Sequence, residues 1–311
     1  MKEKIETLSV YQFFTRIPDE KSAREYFESM RWSKGRYCPH CHSKETVEVK
    51  NEKPQPYRCK KCRKHFSIRT GTILEASNVP LQKWLFATYL MNTAKKGLSS
   101  CQMARELGVT QKTAWMLCHK IRETWTVPVS PFTGTVETDE TYIGGKEKNK
   151  HASKRLNAGR GTVGKQVILG LRERSGKVTA TTAQGTGKRE IHAFITKNVK
   201  LGSILYSDDH KSYIGIKGYN HKSVNHSGRE YVRDNIHTNG IESFWALLKR
   251  GHYSTFHHFS PEHAMRYVNE FASRLNNSKC DTIDVLAITA KNVTGKNLPY
   301  KVLTNHDPSS Y

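Results

Sequence analysis

Four of the seven cysteines stand as two pairs, Cys38-Pro39-His40-Cys41 and Cys59-Lys60-Lys61-Cys62, with 17 residues between them. Two residues between thiolates let the chain turn so that both sulfurs reach one tetrahedral ion, and two such turns complete a closed structural zinc site. Cys38, Cys41, Cys59 and Cys62 are therefore the expected zinc ligands. Val47, Val49 and Tyr57 give the intervening segment strand character, and Lys53-Pro54-Gln55-Pro56 places a turn in it, so the loop reads as a β-hairpin. Duplication of the motif argues against a lone redox C-x-x-C. His40, His42 and His65 lie nearby but are not needed for a four-sulfur site. Cys101, Cys118 and Cys280 are isolated and read as small packed hydrophobes. An odd cysteine total beside a thiolate site points to a reducing cytoplasm.

Charge narrows the partner. The 311 residues include 51 Lys and Arg against 28 Asp and Glu, a formal charge of +23. Residues 1–130 hold 24 basic and 12 acidic side chains, and residues 131–311 hold 27 and 16, so both halves carry the excess. That distribution fits a polyanion, with nucleic acid first. No run approaches the ~18 apolar residues of a membrane span, and the N-terminus has no signal-peptide core, so the expectation excludes a membrane.

Helical period appears over Ser22–Trp32, completing a first region (1–75), and again over Pro80–Ala94, where Gly97 breaks it. In the second region (76–128), Ala104 and Gly108 stand four apart, Thr110 is placed to cap a new helix, and Ala114, Leu117 and Ile121 form its apolar stripe. A small residue at a helix crossing and a glycine at the turn are the pattern of a helix-turn-helix. Its second helix begins with Gln111, Lys112 and Thr113, which can reach base edges or phosphates in a major groove. An ordinary pair of packed helices shares the pattern.

Val127-Pro128-Val129-Ser130-Pro131 reads as a linker to a third region (131–280). There Thr135–Ile143 alternates as a strand, with Glu137, Asp139 and Thr141 on one face. Residues 146–165 form a basic loop. Strands follow at 167–171 and 178–182 around a turn at Ser175-Gly176, then a helix at 188–198, a strand running into Asp208 and Asp209, and a short strand at His221–His226. Helices close the region at 239–249 and 261–275. Three strands, helix, strand, short strand, helix is the order of an RNase H-like α/β fold, in which the first and fourth strands are neighbours. The helix at 239 has Ile241, Phe244, Trp245 and Leu248 on one face and Asn239, Glu242 and Lys249 on the other. Asn239 with Glu242 also fits a capping box. Acids meeting at the ends of neighbouring strands suit two divalent ions ~4 Å apart, the arrangement that neutralises attacking and leaving oxygens of a phosphodiester. Residues 281–311 show no motif and read as a tail.

Thr138-Asp139-Glu140-Thr141-Tyr142-Ile143-Gly144-Gly145-Lys146 resembles the first-acid motif of bacterial insertion-sequence transposases of the DDE class, in the group with an N-terminal zinc ribbon. Ser207-Asp208-Asp209-His210-Lys211-Ser212-Tyr213 is similar to the second motif. His237–Trp245 with Leu248-Lys249-Arg250-Gly251 is similar to the third, and His258 to Asn276 to the terminal helix. The resemblance implies Asp139 and Asp208 as ligands of two Mg²⁺ or Mn²⁺ ions, with Glu242 as the third acid. Part of the family has Asn there, followed by Lys, and Asn239 is offered as well. The resemblance also implies Lys249 and Arg250 on end phosphates and double-stranded transposon-end and target DNA as partners. A homodimer or higher assembly on DNA and a bacterial cytoplasmic, nucleoid-associated location follow from it too. Rival expectations are a zinc-ribbon regulator with an inactive second half, and a nuclease or resolvase.

Overall fold

The computed structural model describes residues 5–126, 130–145, 151–155, 162, 164–174, 176–224, 233 and 235–304. Most of the basic loop at 146–165, linker residues 127–129, Ser175 of the expected turn and residues 225–226 of the expected short strand lie outside them. The chain divides into two compact units, residues 1–125 with 279–311, and residues 126–278.

In chain order the elements are α1 (Val10–Arg16), α2 (Glu20–Arg31), β1 (Thr46–Glu48), β2 (Tyr57–Cys59), β3 (His65–Phe66), α3 (Leu81–Thr93), α4 (Ser100–Leu107) and α5 (Gln111–Thr124). Then come β4 (Thr135–Ile143), β5 (Gln166–Glu173), β6 (Val178–Ala183), α6 (Lys188–Asn198), β7 (Ile204–Ser207) and β8 (Asn220–Ser223). Helices α7 (Asn239–Gly251), α8 (Pro261–Asn276), α9 (Thr282–Lys291) and α10 (Tyr300–Thr304) complete the list.

In the first unit, β1, β2 and β3 form an antiparallel ribbon, with Thr46 opposite Cys59 and Tyr57 opposite Phe66. Helix α3 is buried nearly all round, through Trp84, Leu85, Phe86, Tyr89 and Met91, and so forms the centre of this unit. Its proline N-cap has no side-chain acceptor, and the Glu20 carboxylate of α2 takes the Leu81 and Gln82 N–H groups at 2.8 and 3.0 Å instead. Gly108, at φ 58°, ends α4 in the left-handed region, and the Thr110 hydroxyl accepts from Thr113 N–H at 3.2 Å to start α5, as the sequence expects of both.

Residues 281–304 do not stand apart as a tail. Leu286, Ala290, Val293, Leu298 and Leu303 are buried in the core formed by α2, α3 and α5. Ile73 N–H donates to Val293 O at 2.9 Å, and the Trp125 indole donates to Thr289 Oγ1 at 2.9 Å. The apolar stripe of α9 is the signal, but a segment so distant in sequence reveals no partner by pattern alone. We expect Leu286→Ala to cost about 3 kcal/mol, as buried Leu→Ala changes do. Urea unfolding measures this, and a cost under about 1 kcal/mol would contradict the packing.

In the second unit the sheet order is β6-β5-β4-β7-β8. β4–β5 and β5–β6 are antiparallel, whereas β4–β7 and β7–β8 are parallel. Alternation along the strands sends side chains to two apolar layers. Val136, Val167, Leu169 and Leu171 pack with Ile191 and Ile195 of α6, while Ile143 and Ile168 pack with α7 and α8 through Ile241, Phe244, Trp245, Val268 and Phe271. The mixed sheet is thus covered on both faces, and β4 is its central strand.

Candidate active site and zinc centre

The Cys38 and Cys62 sulfurs are 3.6 Å apart, the Cys41 and Cys59 sulfurs likewise, and all four lie within 4.8 Å of one another. A zinc ion about 2.3 Å from each of four tetrahedral sulfurs sets them about 3.8 Å apart, so the cluster fits that ion. The Cys62 N–H lies 3.5 Å from Cys59 Sγ and draws that thiol down to about 7, which favours the thiolate a metal needs. His40 Nε2 faces the His65 backbone carbonyl at 3.4 Å, and the four sulfurs complete a tetrahedral site without a histidine.

The carboxylates gather on β4 and at the end of β7. Glu137 pairs with Tyr206 in the parallel β4–β7 register, and β7 ends at Ser207, one residue before Asp208, whose charge acts on Asp139. Strands so paired lie about 4.8 Å apart. Burial pushes the Asp139 carboxyl up to about 7, and the charges of Glu140 and Asp208 push the same way. The Trp245 indole of α7 opposes them, donating to Asp139 Oδ2 at 2.9 Å. Gly170 stands opposite Asp139 on β5, and a Cβ there would come within 2.5 Å of the Trp245 ring. Absence of that side chain is what lets the indole lie over the strand.

Glu140 projects to the other face. Tyr213 donates to it at 2.7 Å, and His210 Nδ1 lies 3.7 Å from it. Burial and the Asp208 charge raise the Glu140 carboxyl, against the Tyr213 hydrogen bond. Asp208 Oδ1 accepts from His210 N–H at 3.1 Å, whereas Asp209 is exposed.

Helix α7 begins on the sheet. Thr238, not Asn239, is its N-cap, so the capping box expected of Asn239 is not formed. Thr238 Oγ1 donates to Glu242 Oε1 at 2.8 Å, and the Ile241 N–H donates to Glu137 Oε2 at 2.9 Å. Asn239 and Glu242 are exposed and Lys249 is half-buried. Arg250 is exposed and donates back to the Ala246 carbonyl at 3.2 Å. Among the described residues, the cysteines form the sole group of three or more metal-binding side chains with donor atoms within 4.8 Å; Asp139, Asp208 and Glu242 do not close to that distance. At the start of α5, Gln111 donates to Ser100 Oγ at 2.8 Å and the Lys112 ammonium sits 4.4 Å from the Tyr300 ring centre. The Thr113 hydroxyl is 2.9 Å from that of Thr110.

Residues 131–276 match the family model of the ISXO2-like transposase domain, and residues 18–65 match that of the transposase zinc-ribbon domain. A protein of the transposable element ISH50 from Halobacterium salinarum, itself described as uncharacterized, is 27% identical over 247 residues, covering 74% of this chain and 82% of its own. The chain belongs to the family of insertion-sequence transposases with an N-terminal zinc ribbon. A simian T-cell lymphotropic virus intasome in complex with a PP2A regulatory subunit shares 14% identity at a TM-score of 0.25, over 69% of the transposase and 68% of the matched chain. Among the described residues, no helix is long and apolar enough to cross a membrane.

Sequence reasoning passes over Glu140, Tyr213 and His210, because strand alternation alone turns Glu140 away from Asp139. The signal that could find them is the tyrosine five residues beyond Asp208, in a segment that folds back over β4.

Three outcomes follow for the transposase. Cys41→Ser should drop bound zinc from about one ion per chain to well under half and melt the ribbon, read by metal analysis and circular dichroism. Gly170→Ala should cost about 1–3 kcal/mol by denaturant unfolding and free the indole, changing tryptophan fluorescence; an unchanged spectrum would contradict the contact. Without added divalent magnesium, Asp139 holds its proton more tightly folded (about 7) than unfolded (~4). Its contribution to stability is therefore full below pH ~4 and declines as pH rises toward 7. Asp139→Asn should remove that decline in thermal midpoint; parallel pH profiles would contradict it.

Proposed function

We propose that the chain is a DDE-type DNA transposase that moves its own insertion sequence by metal-dependent cleavage and strand transfer. The observation that carries the reading is that Asp208, just past the end of β7, brings its charge to bear on Asp139 of the neighbouring parallel strand β4, whose carboxyl is raised by burial and by its acidic neighbours. Such a cluster is short of positive charge, and hard divalent ions with oxygen ligands supply it. The strand order, with β7 beside β4, suits an RNase H-like catalytic domain.

Asp139 and Asp208 would hold Mg²⁺ or Mn²⁺, which would supply an activated water and neutralise the leaving oxygen. Glu242 completes the set. On a helix turning 100° per residue, Glu242 and Lys249 fall about 60° and 40° to one side of Trp245, whose indole touches Asp139, and Asn239 falls about 120° away. Glu242 also brings a charge, which Asn239 does not. Lys249 and Arg250 neutralise phosphates of the transposon end. The ribbon and the α4–α5 pair, read as a helix-turn-helix, bind the terminal inverted repeats, with Gln111, Lys112 and Thr113 at the DNA. Two ends must be held together, so a homodimer or larger assembly acts on DNA, at the nucleoid of the cell.

The test is strand transfer of duplexes carrying the inverted repeat, with Mg²⁺ or Mn²⁺. Wild type should join ends to target DNA, while Asp139→Ala and Asp208→Ala should lose at least about 100-fold of that rate. Equal activity in all three would reject the site, cutting without joining would indicate a nuclease or resolvase, and end binding without either reaction a regulator. Lys112→Ala should weaken end binding across all sequences and lower the slope of log affinity against log salt by about one; an unchanged slope would remove Lys112 from the phosphates.

A further inference from the structure

We infer that Glu137 is a positioning residue for strand transfer, fixing where α7 sets Glu242 and Lys249 over the metal-binding acids. The residue is only 3% exposed, and its carboxylate is aimed at the first turn of α7. Two bonds tie β4 to that helix, Ile241 N–H to Glu137 at 2.9 Å and the Trp245 indole to Asp139 at 2.9 Å. The acceptors are two residues apart on the strand, an advance of about 6.8 Å. The donors are four apart on the helix, an advance of about 6 Å. Strand and helix therefore advance in step, and two such bonds fix both the axial position and the rotation of α7. Without the Glu137 bond, only the Trp245 indole of this pair would tie α7 to β4.

The surroundings hold the Glu137 carboxylate in turn. Arg174 Nε and His237 Nδ1 each lie 3.5 Å from its second oxygen. Arg172, opposite Glu137 in the β4–β5 register, donates to the Gly240 carbonyl and to Ser243 Oγ, at 2.6 Å in the latter bond. Gly240 makes room: a Cβ there would stand 2.4 Å from Glu137 Oε2. Alanine is the better helix former, so glycine in the first turn of α7 is accounted for by the carboxylate it admits. An apolar contact would fill the same space without the cost of burying a charge, but it would not direct a backbone N–H.

The inference rests on the transposase reading of Asp139, Asp208 and Glu242, and the experiment separates the two. Full-length wild type, E137Q, E137A, G240A and the double variant E137A/G240A are compared in strand transfer on inverted-repeat duplexes with Mn²⁺. End-DNA affinity, thermal midpoint and amide exchange at Ile241 are measured alongside. Glutamine keeps an acceptor oxygen, so E137Q should stay within about threefold of wild type, whereas E137A and G240A should lose about 100-fold in turnover with unchanged end affinity. In the double variant the methyl group added at position 240 finds room, and the thermal midpoint should rise above that of E137A while transfer stays low. A purely structural role requires activity to recover with the midpoint, and that result would overturn the inference, as would E137A at wild-type turnover. A wild type that joins no ends overturns the functional reading instead. In that case, exchange of the Ile241 amide about tenfold faster in E137A than in wild type still decides that Glu137 fixes α7, and equal exchange refutes it.

Discussion

Asp139 sits half-buried in the central strand of the sheet, with the charges of Asp208 and Glu140 acting on it and a tryptophan N–H as its hydrogen-bond donor. Burial and these like charges oppose the ionisation of Asp139. The surrounding structure is arranged to hold them there regardless. Gly170 gives up its side chain so that Trp245 can reach Asp139, Tyr213 donates to Glu140, and His210 presents its backbone N–H to Asp208. A strand buried on both faces costs least when apolar throughout. Acids retained at its centre are paid for by contacts of this kind, and the divalent cations proposed above would neutralise them.

A second theme is the use of carboxylates from other elements to start helices. Glu20 of α2 takes the first N–H groups of α3, and Glu137 of β4 takes the N–H of Ile241 in α7. In neither helix does the N-cap side chain accept a backbone N–H of the first turn. In a chain with a formal charge of +23, acids are scarce, and several of those present act as anchors between elements. Each anchor couples the direction of a helix to the body it packs on. In the first unit the result is the bundle that accompanies the ribbon; in the second it is the orientation of the helix bearing Glu242 and Lys249.

Much of this was legible in the sequence. The cysteine spacing named the four sulfurs that converge, and the 3.6 and 2 periods located α6, α7, α8 and β4 because each buries one regular face. Strand alternation also placed Glu137 with Asp139 on one face, and the structure shows that face turned to α7. What pattern could not convey was long-range pairing. Helix α9 joins the core beside α3, some two hundred residues earlier in the chain, and nothing local to residues 281–311 names that partner. The capping-box spacing of Asn239 and Glu242 likewise suggested a helix start that the fold builds from Thr238 and Glu137, since a carboxylate a hundred positions away leaves no mark near residue 239. Glu140 was hidden by the same alternation rule that revealed Asp139.

The most direct measurement is the anomalous scattering of a crystal soaked in Mn²⁺. The account requires manganese between Asp139 and Asp208, as two peaks about 4 Å apart once DNA is bound, with Glu242 as a further ligand. Manganese bound elsewhere, with the two aspartates free of metal in the DNA complex, would contradict it.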